Sequence, residues 1–505
     1  MNFIKNTIIF SVATFISRIL GYIRDATVAY YFGANALTDA FYVAWRLPNT
    51  LRQLVGEGSF NAAFIPIYSQ QEKVSPENAR LYASSLFSYY TLILSVITFL
   101  VVIFAPWFVK VLAPGFKTSE SFEITVELVR IVFPYLILIG WTSFFMALLN
   151  TKDRFFIPAV SPALLNLSFI FTSIFLADIY GIYALAYGAL LGGFLQFAIQ
   201  MPQAFREGLI FRPTLKRHPQ IKTTLNRMLP AFAAFGVSQF SFVIDTVLAS
   251  FLFTGAITYL YYGNRIFQLP LGVFIIGLGN ALLVSLSKQH VENRMKEFYE
   301  SIQTGMKFSI FISLPATAGM VFLGQEIVDI LLVRGNFSQE DATLTYYALV
   351  GYSVGFLGYA LTRPFKSGYF AKGDMKTPLV STAFGVFGSV VSALVFTFIL
   401  GWGVFGLAFA SSLGGFLNVA YLYFKSHFQL DMRDISISFL KNLLATASMV
   451  ITIEGVKLLG IDPVFSLFIG IVLSSVVYFI VNLLLKDSNS LMFLNILQKR
   501  LKARL

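Results

Sequence analysis

Apolar runs long enough to cross a lipid bilayer recur along almost the whole chain, and they limit its fold more than any other feature. About 20 apolar residues in an α-helix span the hydrocarbon core of a membrane. Hydrophobic residues make up 57% of the 505 positions and charged residues only 12%, about half the charged share of ordinary globular chains. These proportions exclude a string of soluble domains and predict an all-α polytopic membrane protein.

Taking 18 or more mostly apolar residues as one span, the sequence predicts about fourteen transmembrane helices. Their expected ranges are 4–32, 37–69, 82–112, 124–149, 157–178, 182–204, 226–252, 257–287, 303–324, 343–371, 377–400, 404–425, 436–458 and 463–485. No connecting segment is long enough to form a soluble catalytic domain.

The placement of Lys and Arg predicts the orientation. An even number of spans sorts the connecting segments into two alternating sets. The only basic residues of one set are Lys117, Arg334 and Lys457. The other set includes both tails and the basic stretch 206–227. Because cytoplasmic loops are enriched in Lys and Arg, we expect both termini in the cytoplasm. The net charge of +12 is then mostly topology and does not call for a nucleic-acid partner.

An internal duplication is suggested by patterns that return after 220 to 222 residues. Pro48 and the following Gly56-Glu57-Gly58 return as Pro270 and Gly277-Leu278-Gly279. Asp153 with Pro158 likewise returns as Asp374 with Pro378. The repeat predicts two pseudo-symmetric six-helix lobes around a central cavity, with two helices appended. The expected segments are a first lobe 1–205, a basic cytoplasmic linker 206–227, a second lobe 228–426, the appended helices 427–486 and an amphipathic basic tail 487–505.

Charged residues lie inside predicted spans, where each costs about 2.5 to 3.5 kcal/mol on the insertion scale. The cations are Arg18, Arg24, Arg46, Arg52, Arg265, Arg363 and Lys366, and the acids are Asp25, Asp39, Glu57 and Asp245. Mutual salt bridges could account for some of them, but cations are left over. Uncompensated guanidinium groups call for an anionic ligand, and phosphate or diphosphate suits their bidentate geometry. Asn49, Asn264 and Gln268 are close enough in sequence to bind attached sugar or peptide.

Other chemistries find little support. The chain has no cysteine, and its three histidines fall outside the apolar runs, so a thiolate site or a histidine metal cluster is not expected. A membrane-embedded enzyme would need paired carboxylates near a membrane face, for which Asp431 and Asp434 are the one close pair. We therefore expect a transporter and no catalytic residues.

One dense set of motifs resembles a known family. The motifs are Ser17-Arg18-Ile19-Leu20-Gly21-Tyr22-Ile23-Arg24-Asp25, Phe32-Gly33-Ala34, Thr38-Asp39-Ala40-Phe41, Arg46-Leu47-Pro48-Asn49, Leu51-Arg52, Glu57-Gly58-Ser59-Phe60 and Ala63-Phe64-Ile65-Pro66. Together with Tyr261-Tyr262-Gly263-Asn264-Arg265 and the stretches Asn150–Pro158 and Asp374–Pro378, they resemble the MurJ/MviN family of lipid II flippases. The resemblance covers essentially the whole chain, and the family belongs to the multidrug and oligosaccharidyl-lipid exporters.

The resemblance implies a bacterial inner-membrane protein that moves lipid II, the undecaprenyl-diphosphate-linked disaccharide-pentapeptide, to the periplasmic leaflet for peptidoglycan synthesis. It implies alternating access, a lateral portal near spans 1 and 8, and a groove for the lipid tail on spans 13 and 14. It leaves open whether other cell-wall synthesis proteins bind. The residues expected to bind substrate are Arg18, Arg24, Asp25, Asp39, Arg46, Asn49, Arg52, Glu57, Asn264 and Arg265.

The chain departs from some relatives in two ways. Asn264 and Gln268 stand where those relatives carry acids, which makes the expected cavity more positive. The resemblance also implies a sodium site, since some relatives bind sodium with acidic, Asn and Thr ligands. Here Asp245 and Asp374 match the acidic ligands, but Phe370 and Val390 occupy positions where those relatives have Asn and Thr. Sodium is therefore a candidate ion only, and no other cofactor is expected.

Two further transport functions remain open at this stage. A flippase for another polyprenyl-diphosphate oligosaccharide would need the same cation-lined cavity. A multidrug or cation antiporter would share the fold, but an arginine-rich cavity repels organic cations. For the flippase, we also expect the membrane potential to favour outward movement of an anionic lipid, since one charge crossing 100 mV is worth about 2.3 kcal/mol.

Overall fold

The computed structural model describes residues 2–56, 59–116 and 119–502. Within these ranges the chain forms helices and connecting turns and no β-strand. This confirms the all-α class that the length of the apolar runs predicts.

The helices of the described ranges follow one another with short connections. In chain order they are α1 (Asn2–Phe32), α2 (Ala36–Gly56), α3 (Ser59–Val74), α4 (Pro76–Ile103), α5 (Ala105–Leu112), α6 (Ser119–Val132), α7 (Tyr135–Thr151), α8 (Phe156–Tyr180), α9 (Tyr183–Ala198), α10 (Met201–Arg206), α11 (Gln220–Ala249), α12 (Ala256–Pro270), α13 (Ile276–Val291), α14 (Met295–Phe322), α15 (Gly324–Leu332), α16 (Gln339–Val354), α17 (Phe356–Ala371), α18 (Lys376–Ala393), α19 (Gly403–Lys425), α20 (Met432–Lys457), α21 (Pro463–Leu484) and α22 (Ser488–Lys502). Two π-helical segments, Leu271–Ile275 and Leu394–Ile399, continue α12 into α13 and extend α18.

Eleven helical stretches of the described residues are long and apolar enough to cross a membrane. They correspond to the predicted third to sixth and eighth to fourteenth spans, so the polytopic character is confirmed. The predicted first, second and seventh spans coincide with α1, with α2 and α3, and with α11, which are not among these eleven. The full count of fourteen therefore remains a prediction.

The chain divides into two compact units. Unit 1 comprises Met1–Thr258 together with Arg334–Ser338, and unit 2 comprises Tyr259–Val333 and Gln339–Leu505. Packing thus assigns α11 to unit 1, although the repeat places residues 228–258 at the start of the second lobe. The lobe boundaries read from the repeat stay a prediction.

Aromatic rings form much of the core of unit 1. Phe64 stacks on Phe60 and Tyr82, and Phe144 packs against both phenylalanines. Phe211 of the basic linker adds its ring to Phe144. Burial of several large rings joins α3, α4 and α7, because each ring removes a large apolar area from solvent.

Unit 2 is built around α17, which packs against α13, α14 and α19. Phe298, Met306, Phe365 and Tyr369 are buried in its main core cluster. A second cluster joins α20 and α21 to the same unit. There the buried Tyr478 hydroxyl donates to the carbonyl of Phe311 at 2.7 Å and therefore anchors α21 on α14.

The turns repeat with a constant interval of 220 residues. Gly181 and Gly401 both have positive φ, 53° and 70°, and α9 and α19 begin two residues after them. Helices α7 and α17 end at positions 151 and 371, and α8 and α18 begin at 156 and 376. The expected match of Asp153 with Asp374 is off by one residue, because the left-handed positions of the two turns are Asp153 and Gly373. The repeated geometry supports the duplication.

The basic linker is docked on α4. The backbone carbonyls of Arg212 and Leu215 accept hydrogen bonds from Ser84 and Tyr89 of that helix. His218 is buried, its Nδ1 accepts from the backbone N–H of Gln220 and its Nε2 lies 3.3 Å from Oδ1 of Asn78. Burial lowers the pKa of His218, since the imidazolium form loses hydration.

Candidate functional site

The predicted substrate-binding residues fall on three helices. Those from Arg18 to Arg52 lie on α1 and α2 of unit 1, and Asn264 and Arg265 lie on α12 in unit 2. Glu57 lies outside the described residues. The site is described for each unit separately.

Arg24 and Asp25 form an ion pair on α1. Arg24 Nη2 lies 2.5 Å from Asp25 Oδ1, and the two side chains are only 12% and 5% exposed. The Arg24 guanidinium carbon also lies 5.6 Å from the centroid of the Phe169 ring. The pair and the ring together lower the cost of burying the charge. Arg24 is therefore partly neutralised within the protein.

Helix α8 supports both charged helices of unit 1. The Phe169 ring packs edge-on against Phe41 and Trp45 of α2, with centroids 6.1 and 5.5 Å away. On α1, the carbonyl of Ser17 accepts a hydrogen bond from Asn166 Nδ2 at 3.0 Å. Phe169 thus supports the Arg24 side chain while packing on the aromatic face of α2.

Asp39 is buried at the start of α2 and binds the segment that leads into α12. Its Oδ2 accepts from the Gly255 backbone N–H at 2.6 Å. Its Oδ1 accepts from the Thr258 backbone N–H at 2.9 Å and from the Thr258 hydroxyl at 2.7 Å. These donors are uncharged, so Asp39 orders backbone and does not act as the counter-ion of an arginine.

A short segment, Arg334–Ser338, packs against the end of α1 within unit 1. The Asn336 backbone N–H donates to the carbonyl of Tyr30 at 2.9 Å, and its side-chain amide donates to that of Tyr31 at 2.7 Å. Gly33 has φ +62°, and a Cβ there would stand 2.4 Å from the Asn336 carbonyl oxygen. Glycine is required at this position by both the backbone conformation and the close approach.

The remaining cations of unit 1 lie along α1 and α2. Arg18 is exposed and makes no ion pair with the described residues. Arg46 and Arg52 are half-buried, and Arg52 Nε donates to Asn49 Oδ1 at 3.2 Å. The amide of Asn49 orients a guanidinium group without neutralising it. The exposed Arg18 therefore offers positive charge to an anion.

In unit 2, Asn264 and Arg265 are half-buried on α12. The Gln268 amide donates to Asn264 Oδ1, so the two amides that replace the acids of some relatives bind each other. Arg265 occupies the position after Asn264.

The two sodium candidates belong to different units, Asp245 to unit 1 and Asp374 to unit 2. The Asp374 carboxylate accepts from the backbone N–H of Thr377 at 2.9 Å and from its hydroxyl at 2.6 Å, which lowers the pKa of Asp374. These contacts hold the carboxylate at the start of α18, and sodium binding by Asp374 stays a prediction. Across the described residues, no group of three His, Cys, Asp or Glu side chains could hold a metal.

The carboxylate pair considered for an enzyme also has structural partners. Asp431 caps α20 by accepting from the backbone N–H groups of Arg433 and Asp434. Asp434 pairs with Lys307 at 2.8 Å and accepts from Gln303 at 2.6 Å. The Asp431 carboxylate caps α20, and the Asp434 carboxylate holds α20 on α14.

Three residues of the site were not predicted from the sequence. Phe169 is one of 55 phenylalanines, so nothing in the sequence distinguishes it. Gly255 and Thr258 bind Asp39 from more than 200 positions away. The repeat relates the two helices of this contact to each other, because α2 and α12 begin at the equivalent positions 36 and 256. It does not indicate the contact itself.

Comparison with known proteins gives a consistent result. Residues 28–480 match the family model "Lipid II flippase MurJ". A probable lipid II flippase MurJ of Aquifex aeolicus is 37% identical over 421 residues, covering 83% of each chain. The lipid II flippase MurJ of Burkholderia cenocepacia is 33% identical over 433 residues, covering 84% of this chain and 83% of its own.

Solved structures agree. A lipid II flippase MurJ in an inward-closed conformation superposes with a TM-score of 0.82 at 29% identity, covering 95% of this chain and 99% of its own. A multidrug transporter of the MATE family superposes with a TM-score of 0.68 at 16% identity over 83% of this chain and 95% of its own, which shows a shared fold alone. From the match over nearly its whole length, this multi-pass membrane protein belongs to the MurJ family of lipid II flippases.

Proposed function

We propose that the protein translocates lipid II from the cytoplasmic to the periplasmic leaflet of the inner membrane and so supplies peptidoglycan synthesis. The observation that carries the proposal is the family match over residues 28–480. The relatives named above are flippases, so no covalent chemistry is required of the protein. Both termini are expected in the cytoplasm, from the distribution of Lys and Arg.

The diphosphate of lipid II is assigned to the arginines of α1 and α2. Asp39 accepts hydrogen bonds from Gly255 and Thr258, so this acid does not offset them. Arg18 and Arg52 offer guanidinium groups that match phosphate oxygens bidentately. Arg24 completes the proposed set and is shared between Asp25 and the ligand.

Translocation is expected to follow alternating access, in which the two lobes rock while the lipid tail stays in the bilayer or on α20 and α21. The protein then replaces the hydration of the headgroup along its path. An inside-negative potential favours outward movement of the anionic headgroup. No step of this proposal is routed through sodium. Binding of other cell-wall synthesis proteins is not needed for any of these steps.

The test is binding of the purified full-length protein to lipid II, undecaprenyl phosphate and an organic cation. We expect preference for lipid II, reduced about tenfold in Arg52→Gln, because a charge-assisted hydrogen bond contributes about 1.5 to 3 kcal/mol. Arg130→Gln is the matched control, since Arg130 is an exposed arginine of α6 in the same unit. Binding of the cation with indifference to lipid II would make the antiporter the better assignment.

The role of the potential is tested in proteoliposomes. We expect slower lipid II translocation when the potential is collapsed at a constant pH gradient. An unchanged rate would show that the potential does not drive transport.

A further inference from the structure

A second group of cations lies in unit 2, on helix α17, away from the arginines of α1 and α2 along the chain. Arg363 is exposed, whereas its neighbours Thr362, Pro364 and Phe365 are buried. Lys366, one turn further on, is half-buried. Residues three apart on a helix share a face, so the two cations point to the same side of α17.

The face is bordered by α13 and α18. The Arg363 side chain passes Gly279 of α13, where an added Cβ would stand 3.5 Å from its Cβ and Cδ. The Lys366 ammonium donates to the Thr382 hydroxyl of α18 at 2.9 Å. The aliphatic part of the Arg363 side chain therefore packs along α13. We call this surface, lined by Gly279, Arg363, Lys366 and Thr382, the α17 groove.

No acid neutralises the α17 groove within the described part of the chain. Neither Arg363 nor Lys366 makes an ion pair with the described residues. The helices α12, α13, α17, α18 and α19 contain no Asp or Glu at all. In the turn between α17 and α18, Asp374 is occupied by Thr377. Two neighbouring cations without a counter-ion, one of them half-buried, favour an anionic ligand.

We propose that the α17 groove binds a carboxylate of the stem peptide of lipid II. This inference rests on the proposed function, which assigns the diphosphate to the arginines of unit 1. The remaining anions of a disaccharide-pentapeptide headgroup are the carboxylates of its peptide. One guanidinium fork and one ammonium group can satisfy the two oxygens of a single carboxylate. The Thr382 hydroxyl, which also donates to the carbonyl of Pro378, positions the ammonium.

The groove would give the protein a means of recognising the peptide separately from the lipid. A lipid-linked diphosphate that lacks a peptide satisfies the arginines but leaves the groove cations unpaired. Discrimination then comes from the charge-assisted hydrogen bonds that such a lipid cannot make. Substrate selection among polyprenyl-diphosphate lipids is thereby assigned to unit 2.

The experiment compares lipid II with lipid II whose peptide carboxylates are converted to amides, using the purified full-length protein. The wild type is expected to bind the amidated lipid about tenfold more weakly, from the loss of a charge-assisted hydrogen bond. The double variant Arg363→Gln/Lys366→Gln is expected to bind both lipids equally, at the level of the wild type with the amidated lipid. Arg363→Lys, which keeps the charge and guards against misfolding of the double variant, is expected to retain a preference of several-fold.

Two controls separate this inference from the proposed function. Lys288→Gln removes a cation of α13 that is 72% exposed, and should leave the preference unchanged. Arg52→Gln should weaken both lipids by the same factor and keep their ratio. No preference in the wild type, a preference that persists in the double variant, or an equal loss of both lipids in that variant would each overturn the peptide site. Failure of the wild type to bind either lipid would instead overturn the proposed function.

Discussion

The charged helices of unit 1 and the α17 groove of unit 2 differ in how their charged side chains are compensated within the protein. On α1 and α2 the described acids are committed, Asp25 to Arg24 and Asp39 to the backbone N–H groups of residues 255 and 258. The two helices that border the α17 groove, α13 and α18, contain no acid, and Arg363 and Lys366 make no ion pair with described residues. Charge in unit 1 therefore holds the fold together, whereas we assign the charge of the α17 groove to ligand binding at a cost to the fold.

The largest effect is expected for Asp25→Asn. The change leaves the half-buried Arg24 without its carboxylate, and breaking a buried pair costs about 3 to 5 kcal/mol of unfolding free energy. The measurement is denaturant unfolding of the purified protein in micelles. Asp178→Asn, at an exposed acid of α8 in the same unit, is the control and should change little. A loss below about 1 kcal/mol would show that the pair does not stabilise unit 1.

Asp39 should respond differently to the same kinds of change. Asp39→Ala leaves the N–H groups of Gly255 and Thr258 without an acceptor and should cost about 3 kcal/mol. Asp39→Asn keeps one acceptor oxygen and should cost less than half of that. Equal losses in the two variants, measured by the same unfolding titration, would mean that Asp39 acts through its charge and belongs with Asp25.

Gly33→Ala tests the docking of Arg334–Ser338 on α1. The new Cβ would clash with the Asn336 carbonyl oxygen, and the alanine backbone would have to keep a positive φ. We therefore expect a loss of about 2 kcal/mol or more in unfolding free energy. Gly208→Ala is a matched control in the same unit, with φ +67° and nothing within 4 Å of its Cβ. It should lose only about 1 kcal/mol, from backbone strain. Equal losses would remove the close approach from the explanation.

Removal of a cation from the α17 groove of unit 2 should stabilise the protein. Lys366→Met replaces a half-buried ammonium by an apolar chain of similar length, while Thr382 keeps its bond to the Pro378 carbonyl. We expect a gain of about 1 kcal/mol in unfolding free energy. Lys307→Met should do the opposite, because Lys307 pairs with Asp434 at 2.8 Å. If Lys366→Met also destabilises unit 2, the contrast between the two regions fails.

The smallest effect concerns the docked linker and pH. Burial lowers the pKa of His218, so the neutral form is favoured in the docked state. Docking is then fully stable above the ordinary histidine pKa of about 6.5 and weakens as the pH falls below it. The chain has no cysteine, so a spin label at Lys216→Cys reports on the linker alone. Its mobility should rise on acidification, and the rise should disappear when His218→Gln is added; a rise that persists would assign the effect to another group.

The sequence predicted the fold class, most of the spans and the location of the charged residues. The length and hydropathy of an apolar run are local properties of the sequence, so they predict which helices cross the membrane. The duplication was also readable, because equivalent turns need similar residues at a fixed interval. The exact register of the repeat could not be predicted, because the left-handed residue is Asp153 in one turn and Gly373 in the other.

The partners of the charges could be decided only by the tertiary structure. Arg24 and Asp25 are neighbours in sequence, so their pairing was one of the readings that the sequence allowed. In the sequence, Asp39 and Asp25 are both acids inside a predicted span. The hydrogen-bond donors of Asp39 nevertheless come from residues 255 and 258. No local sequence pattern predicts which distant N–H groups will need an acceptor. Apolar length alone determined that this chain enters a membrane. Which of its charges stabilise helices and which face a ligand depends on packing between residues far apart in the chain.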